Sequence, residues 1–151
     1  MLAVTLRQPF PLFIARGLCD VIVRDFPPPG HYTGPLLIHA GRSYDEAWRR
    51  HIPDVVHGIA GAALREAGYL YPLPRSSIVA YAVLSYSSTQ SASHWHTQGS
   101  HRDAHWGWYL GDVVALDPII PDVRGQPGLW APGRCVEAAV RKQLADRDGT
   151  A

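Results

Sequence analysis

The stretch GPLLIHAGR, Gly34 to Arg42, is an apolar run that closes on an imidazole and a guanidinium. Leu36, Leu37 and Ile38 have the character of a short, buried strand. A strand that only filled a core could stop at Ile38 and turn. His39 and Arg42, standing where the apolar run gives out, fit side chains that leave the core to line a cleft.

Outward from this strand, PPPG, Pro27 to Gly30, is incompatible with a central strand and marks a loop. Before the loop, DVIVRDF, Asp20 to Phe26, is rich in β-branched residues and reads as a strand. LAVTL, Leu2 to Leu6, is an opening strand. Pro9 and Pro11 suit the first turn of a short helix, Phe10 to Arg16, that stops at Gly17. On the other side, Ser43-Tyr44-Asp45-Glu46 has capping-box spacing and predicts a helix running toward His51. That helix should kink near Pro53 and resume from Ala60 to Ala67. IVAYAVLSY, Ile78 to Tyr86, is the clearest strand, and Ser85 to Gly99 is a polar loop. WGWYL and VVALDPI read as two strands about a turn at Gly111-Asp112, and Gly128 to Trp130 as a last short strand. Arg134 to Arg147 reads as a terminal helix.

Short strands outnumber helices, so the expected class is α+β in a single domain covering residues 1–151. The expected architecture is a curled sheet or small β-barrel over residues 2–131 with helices at its ends, and a C-terminal helix over residues 133–147. A formal net charge of +1 excludes a supercharged polyanion binder and leaves room for a local basic patch. No apolar run approaches the roughly 20 residues of a membrane helix, and the N-terminal stretch lacks a secretory pattern. The expectation is a soluble, cytoplasmic protein without a membrane partner. Cys19 and Cys135 have no metal-like spacing, so reduced thiols are expected.

Several segments together resemble the ASCH (activating signal cointegrator homology) domains. LRQPFPLFIARG is similar to their opening strand, Arg-Gln-Pro and short helix, and TGPLLIHAGR to their next strongest motif. IVAYAVL, WGWYL and GQPGLW resemble the central strand, the later aromatic strand and the closing segment, in family order from Leu2 to Trp130. The resemblance implies a PUA-like β-barrel with a cleft lined by the first helix, the strand after it and the His-Ala loop. It also implies binding of RNA or other nucleic acid. Some similar proteins are nucleoside amidohydrolases or ribonucleases. In the hydrolase branch a Gly-x-Lys-Thr turn follows the helix, whereas this chain has Gly17-Leu18-Cys19-Asp20. Cys19 takes the lysine position, Ile22 replaces a polar or acidic residue, and Arg24 alone is retained. A lysine–threonine amidohydrolase mechanism therefore does not carry over.

The candidate binding residues are Arg7, Gln8, Arg24, His39 and Arg42, with Trp48, Trp108 or Tyr109 beside them as stacking surfaces. Guanidinium forks suit phosphate and base edges, and Gln and His supply both donors and acceptors. The structural alternatives are a capping or ion-paired Arg7, a satisfied core His39, a solvated Arg42 and a core Trp108. In HWHTQGSHRDAH, His94, His96, His101 and His105 have spacings that suit a metal, with Asp103 as an oxygen ligand. The simpler reading is a polar rim, with Arg102, that gains charge near pH 6. Cys19 and His39 are candidate catalytic groups, with an inert buried thiol as the alternative for Cys19. No G-x-S-x-G, phosphate loop or paired-carboxylate site is present.

The leading expectation is a non-catalytic module, without a cofactor, that recognises single-stranded RNA or a nucleotide. The alternatives are a nuclease or nucleoside hydrolase using His39, Cys19 or the histidine loop, and a protein-interaction domain using that loop and the terminal helix. Oligomeric state is not legible in the sequence.

Overall fold

The computed structural model describes residues 1–68, 73–93, 95–96 and 106–149. In chain order the elements are β1 (Leu2–Gln8), α1 (Phe10–Ala15), β2 (Val21–Arg24), β3 (Gly34–Tyr44) and α2 (His57–Gly68). They continue with β4 (Ser77–Ser88), β5 (Trp106–Ile120), β6 (Leu129–Trp130) and α3 (Arg134–Gly149). The protein is α+β, with one six-stranded sheet in the order β2-β5-β4-β3-β1-β6. Among the described residues no helix is long and apolar enough to cross a membrane.

Strands β1 and β3 are parallel, and every other pairing is antiparallel. A parallel pair needs a long crossover, and here α1, β2 and the proline loop supply it. Along β3 the apolar run is continuous because both faces are covered. Leu36 and Ile38 join the larger core with Phe13, Ile14 and Trp108, while Leu37 joins a second core with Ile78, Trp130 and Val140. The apolar stripe of α3 is thus closed by its own sheet. Val140 is fully buried, and Gln143 accepts from the Asp117 amide at 3.1 Å while donating to the Pro118 carbonyl at 2.7 Å. This removes the stripe as a docking surface.

Two local expectations are corrected. Ser43 caps no helix, because β3 runs on through Tyr44, pairing there with Gln8. The chain instead turns at Asp45, whose Oδ1 accepts the Ala47 amide at 3.0 Å, and passes through 3-10 turns at Trp48–His51 and Asp54–Val56 before α2. Ladder bonds to β1 outweigh a two-residue cap. Similarly, Gly111-Asp112 is not a turn between strands: β5 is continuous, and Asp112 adopts a positive φ of 49° within it. The uninterrupted partner β4 pairs with residues on both sides of that point, with register shifts that absorb the kink.

Because Leu37 is fully buried, Leu37→Ala should lower the unfolding free energy by about 2–5 kcal/mol. A shift of the urea midpoint at unchanged slope is the expected reading, and an unshifted midpoint would contradict the two-sided burial of β3.

Candidate functional site

The site begins with a slip in register between the parallel strands. Leu6 pairs with Ala40 and Gln8 with Tyr44, so Gly41, Arg42 and Ser43 stand opposite the single residue Arg7. Such a bulge bends the strand and re-aims its side chains. Gly41 permits the close approach, since a Cβ there would lie 3.0 Å from Thr5 Cγ2. Arg7 and Arg42 are both exposed at this point, whereas Gln8 turns inward.

Arg7, with Thr5 and Leu6, lines two cavities. The first, of about 440 Å³, lies between β1, α1 and β2. Its apolar wall includes Phe10, Ile14, Ile22 and Trp95, and its polar groups include Arg7, Arg24, Asp45 and His51. Burial pushes the Arg24 guanidinium below its ordinary pKa. Asp25 opposes that shift, and the nearby positive charge of Arg7 adds to it. Among the described residues neither Arg7 nor Arg24 has a salt-bridge partner. Asp45, by contrast, is engaged: its Oδ2 lies 3.3 Å from His51 Nε2. The second cavity, of about 800 Å³, is polar and contains Arg42, Arg124 and Asp122.

Of the residues singled out in the sequence, Arg7 and Arg24 meet in the first cavity and Arg42 opens onto the second. Gln8 lines neither and is 2 % exposed; its Nε2 donates to the Pro74 carbonyl at 2.9 Å and its Oε1 accepts the Leu12 amide at 3.3 Å. It ties β1 to α1 and to the segment before β4. Trp108 is 1 % exposed and donates through Nε1 to the Phe26 carbonyl at 3.0 Å. Tyr109 is also buried, its ring stacked on Tyr86 at 4.7 Å and its hydroxyl accepting the Ala92 amide at 2.8 Å. Trp48 packs edge-on against Phe13 at 5.5 Å. None of these three aromatics lines either cavity, and Phe10 and Trp95 stand at the first one instead.

His39 borders the second cavity but is 1 % exposed, and both ring nitrogens are occupied. The Val123 carbonyl, 2.6 Å from Nε2, can only accept, so Nε2 carries the proton. Nδ1 then accepts from the Thr5 hydroxyl at 3.2 Å, and Thr5 Oγ1 accepts from Trp130 Nε1 at 3.1 Å. Gly125 closes over the ring, where a Cβ would lie 2.7 Å from His39 Cε1. His39 is a satisfied neutral core histidine, and burial pushes its pKa down against a raising effect of the Val123 bond. The thiol of Cys19 is buried, bonded to the Val21 carbonyl at 3.2 Å, and pushed up to about 12 by desolvation. It remains protonated and unreactive at neutral pH.

His94, His101, Arg102, Asp103 and His105 lie outside the described residues. His96 is described: it is buried, its Nδ1 lies 2.6 Å from the Tyr109 hydroxyl, and among the described residues its Nε2 has no hydrogen-bond partner. Among the described residues no group of three potential metal ligands comes together. Sequence reasoning passed over four cavity residues. Asp45 and His51 had capping and helical readings, Arg124 sat in an unassigned loop, and Trp95 was hidden among histidines. No spacing pattern marks any of them. Compared with known proteins, the chain matches no family model and no curated sequence.

The His39 network has a pH signature. A folded pKa below the unfolded value near 6.5 means that its stabilisation is present above that value and is lost as pH falls through the folded pKa. His39→Gln should therefore be less stable than the parent at pH 7, with the gap narrowing toward pH 5 in urea unfolding. A gap that stays constant would show that His39 is not held neutral.

Proposed function

We propose that the chain is an ASCH-like domain of the PUA-like type whose first cavity binds a nucleotide unit of single-stranded RNA in the cytoplasm. One observation carries this reading. Arg7 and Arg24 place two guanidiniums, unbridged among the described residues, over an apolar-backed cavity, where burial first and the positive charge of Arg7 second disfavour the charge of Arg24. An anion between them offsets both the repulsion and the desolvation. The cavity volume of about 440 Å³ falls within the range of small-ligand sites. Phe10 and Trp95 offer aromatic surface to a base, while the guanidiniums take its phosphate. The order strand, Arg-Gln-Pro, short helix, strand around one cleft also supports the family resemblance.

The test is fluorescence anisotropy with labelled single-stranded RNA, single-stranded DNA and duplex DNA over a salt series. Single-stranded RNA should bind most tightly and weaken with salt, and Arg24→Ala should cost about 10–100-fold in affinity. Salt-independent binding, or full affinity in correctly folded Arg7→Ala and Arg24→Ala proteins, would overturn the assignment.

A hydrolytic second reading is favoured by Asp45 and His51, a carboxylate and an imidazole 3.3 Å apart on the wall of the same cavity. Asp45 can orient the ring, and His51 can then act as a general base toward a water or a ribose hydroxyl. Cys19 and His39 have no part in it. On this reading labelled RNA is cleaved by the parent protein, and His51→Ala abolishes cleavage while retaining binding. Absence of cleavage by the parent leaves the binding function alone.

A further inference from the structure

We infer that the second cavity is a separate phosphate subsite, so that the ligand is a strand crossing Arg7 rather than a mononucleotide. This rests on the nucleotide reading of the first cavity and extends it. The two cavities adjoin, sharing Thr5, Leu6 and Arg7 at the end of β1. Their chemistries differ in the way that two parts of a nucleotide chain differ. The first has the apolar and aromatic wall that a base requires, from Phe10, Ile14 and Trp95. Among the described residues the second has no aromatic side chain other than the buried His39, and it is edged by glycines, serines and the polar loop after β5. It suits a sugar-phosphate backbone.

Its charge points the same way. Arg7, Arg42 and Arg124 line it against one carboxylate among the described residues, that of Asp122. Among the described residues none of the three arginines has a salt-bridge partner. The register slip sends Arg42 out beside Arg7, and the His39–Val123 bond fixes the loop that carries Arg124. Arg7 stands between the cavities with five N–H donors, enough to serve a phosphate on either side. A strand whose base enters the first cavity can therefore lay its neighbouring phosphate in the second.

The experiment compares a fluorescein-labelled RNA pentamer of mixed sequence with fluorescein-labelled nucleoside monophosphates, using the parent protein and the Arg42→Ala/Arg124→Ala double variant. Both side chains are exposed and outside the first cavity, so the variant should fold, which its urea midpoint checks. The double variant should bind the pentamer about tenfold more weakly, with a salt slope reduced by roughly 1.4, the value for two lost single-strand phosphate contacts. Its affinity for the monophosphates should not change. An unchanged pentamer affinity and slope, or an equal loss for the monophosphates, would overturn the second subsite while leaving the first cavity's role intact. If the parent binds neither probe, the nucleotide reading fails and the subsite with it.

Discussion

The register slip between β1 and β3 is the constraint on which the surface chemistry depends. The parallel ladder holds Leu2 through Leu6 against Leu36 through Ala40, and then three residues of β3 face only Arg7. Without the slip, the period of two along each strand would run on regularly. With it, Gln8 turns inward to bond α1 and the Pro74 carbonyl, while Arg7 and Arg42 emerge together. One extra loop of backbone thus converts the end of a core strand pair into a cationic ridge.

A second constraint is the buried polar chain from Trp130 through Thr5 and His39 to Val123. It fastens the short β6 and the loop after β5 to the central strands. Each donor in it meets an acceptor, as interior polar groups require. The network also explains why His39 borders a cavity without serving as a ligand: its nitrogens are already occupied by the fold. The functional consequence is indirect, because the fastened loop carries Arg124 to the edge of that cavity.

Electrostatics separates the scaffold from the site. Near the first cavity, the carboxylate of Asp45 is matched to His51, and the thiol of Cys19 is buried in its protonated form. Among the described residues Arg7 and Arg24 have no salt-bridge partner of that kind. A pair of guanidiniums that repel one another costs stability, and folded proteins retain such pairs most readily where a ligand offsets them. The apolar wall behind them sharpens the effect, since low polarity strengthens both the repulsion and the attraction of an incoming anion.

The sequence by itself determined the α+β class, most of the strands, and the terminal helix, because period, β-branching and proline placement act locally. It also marked Arg7, Arg24 and Arg42 as cations at strand ends. Only the tertiary structure decided which polar and aromatic side chains stay available. Gln8 and His39 look like ligands in a string of letters and prove to be satisfied inside the fold, and Trp108 and Tyr109 prove to be core. The capping box at Ser43 and the turn at Gly111 had sound local chemistry, yet continuous ladders along β3 and β5 overrode both. Asp45, His51 and Arg124 gained their places from contacts between distant segments, which leave no spacing to read. The physical reason is common to all of these: propensity is a property of neighbours along the chain, whereas burial, pairing and the shape of a cavity belong to neighbours in space.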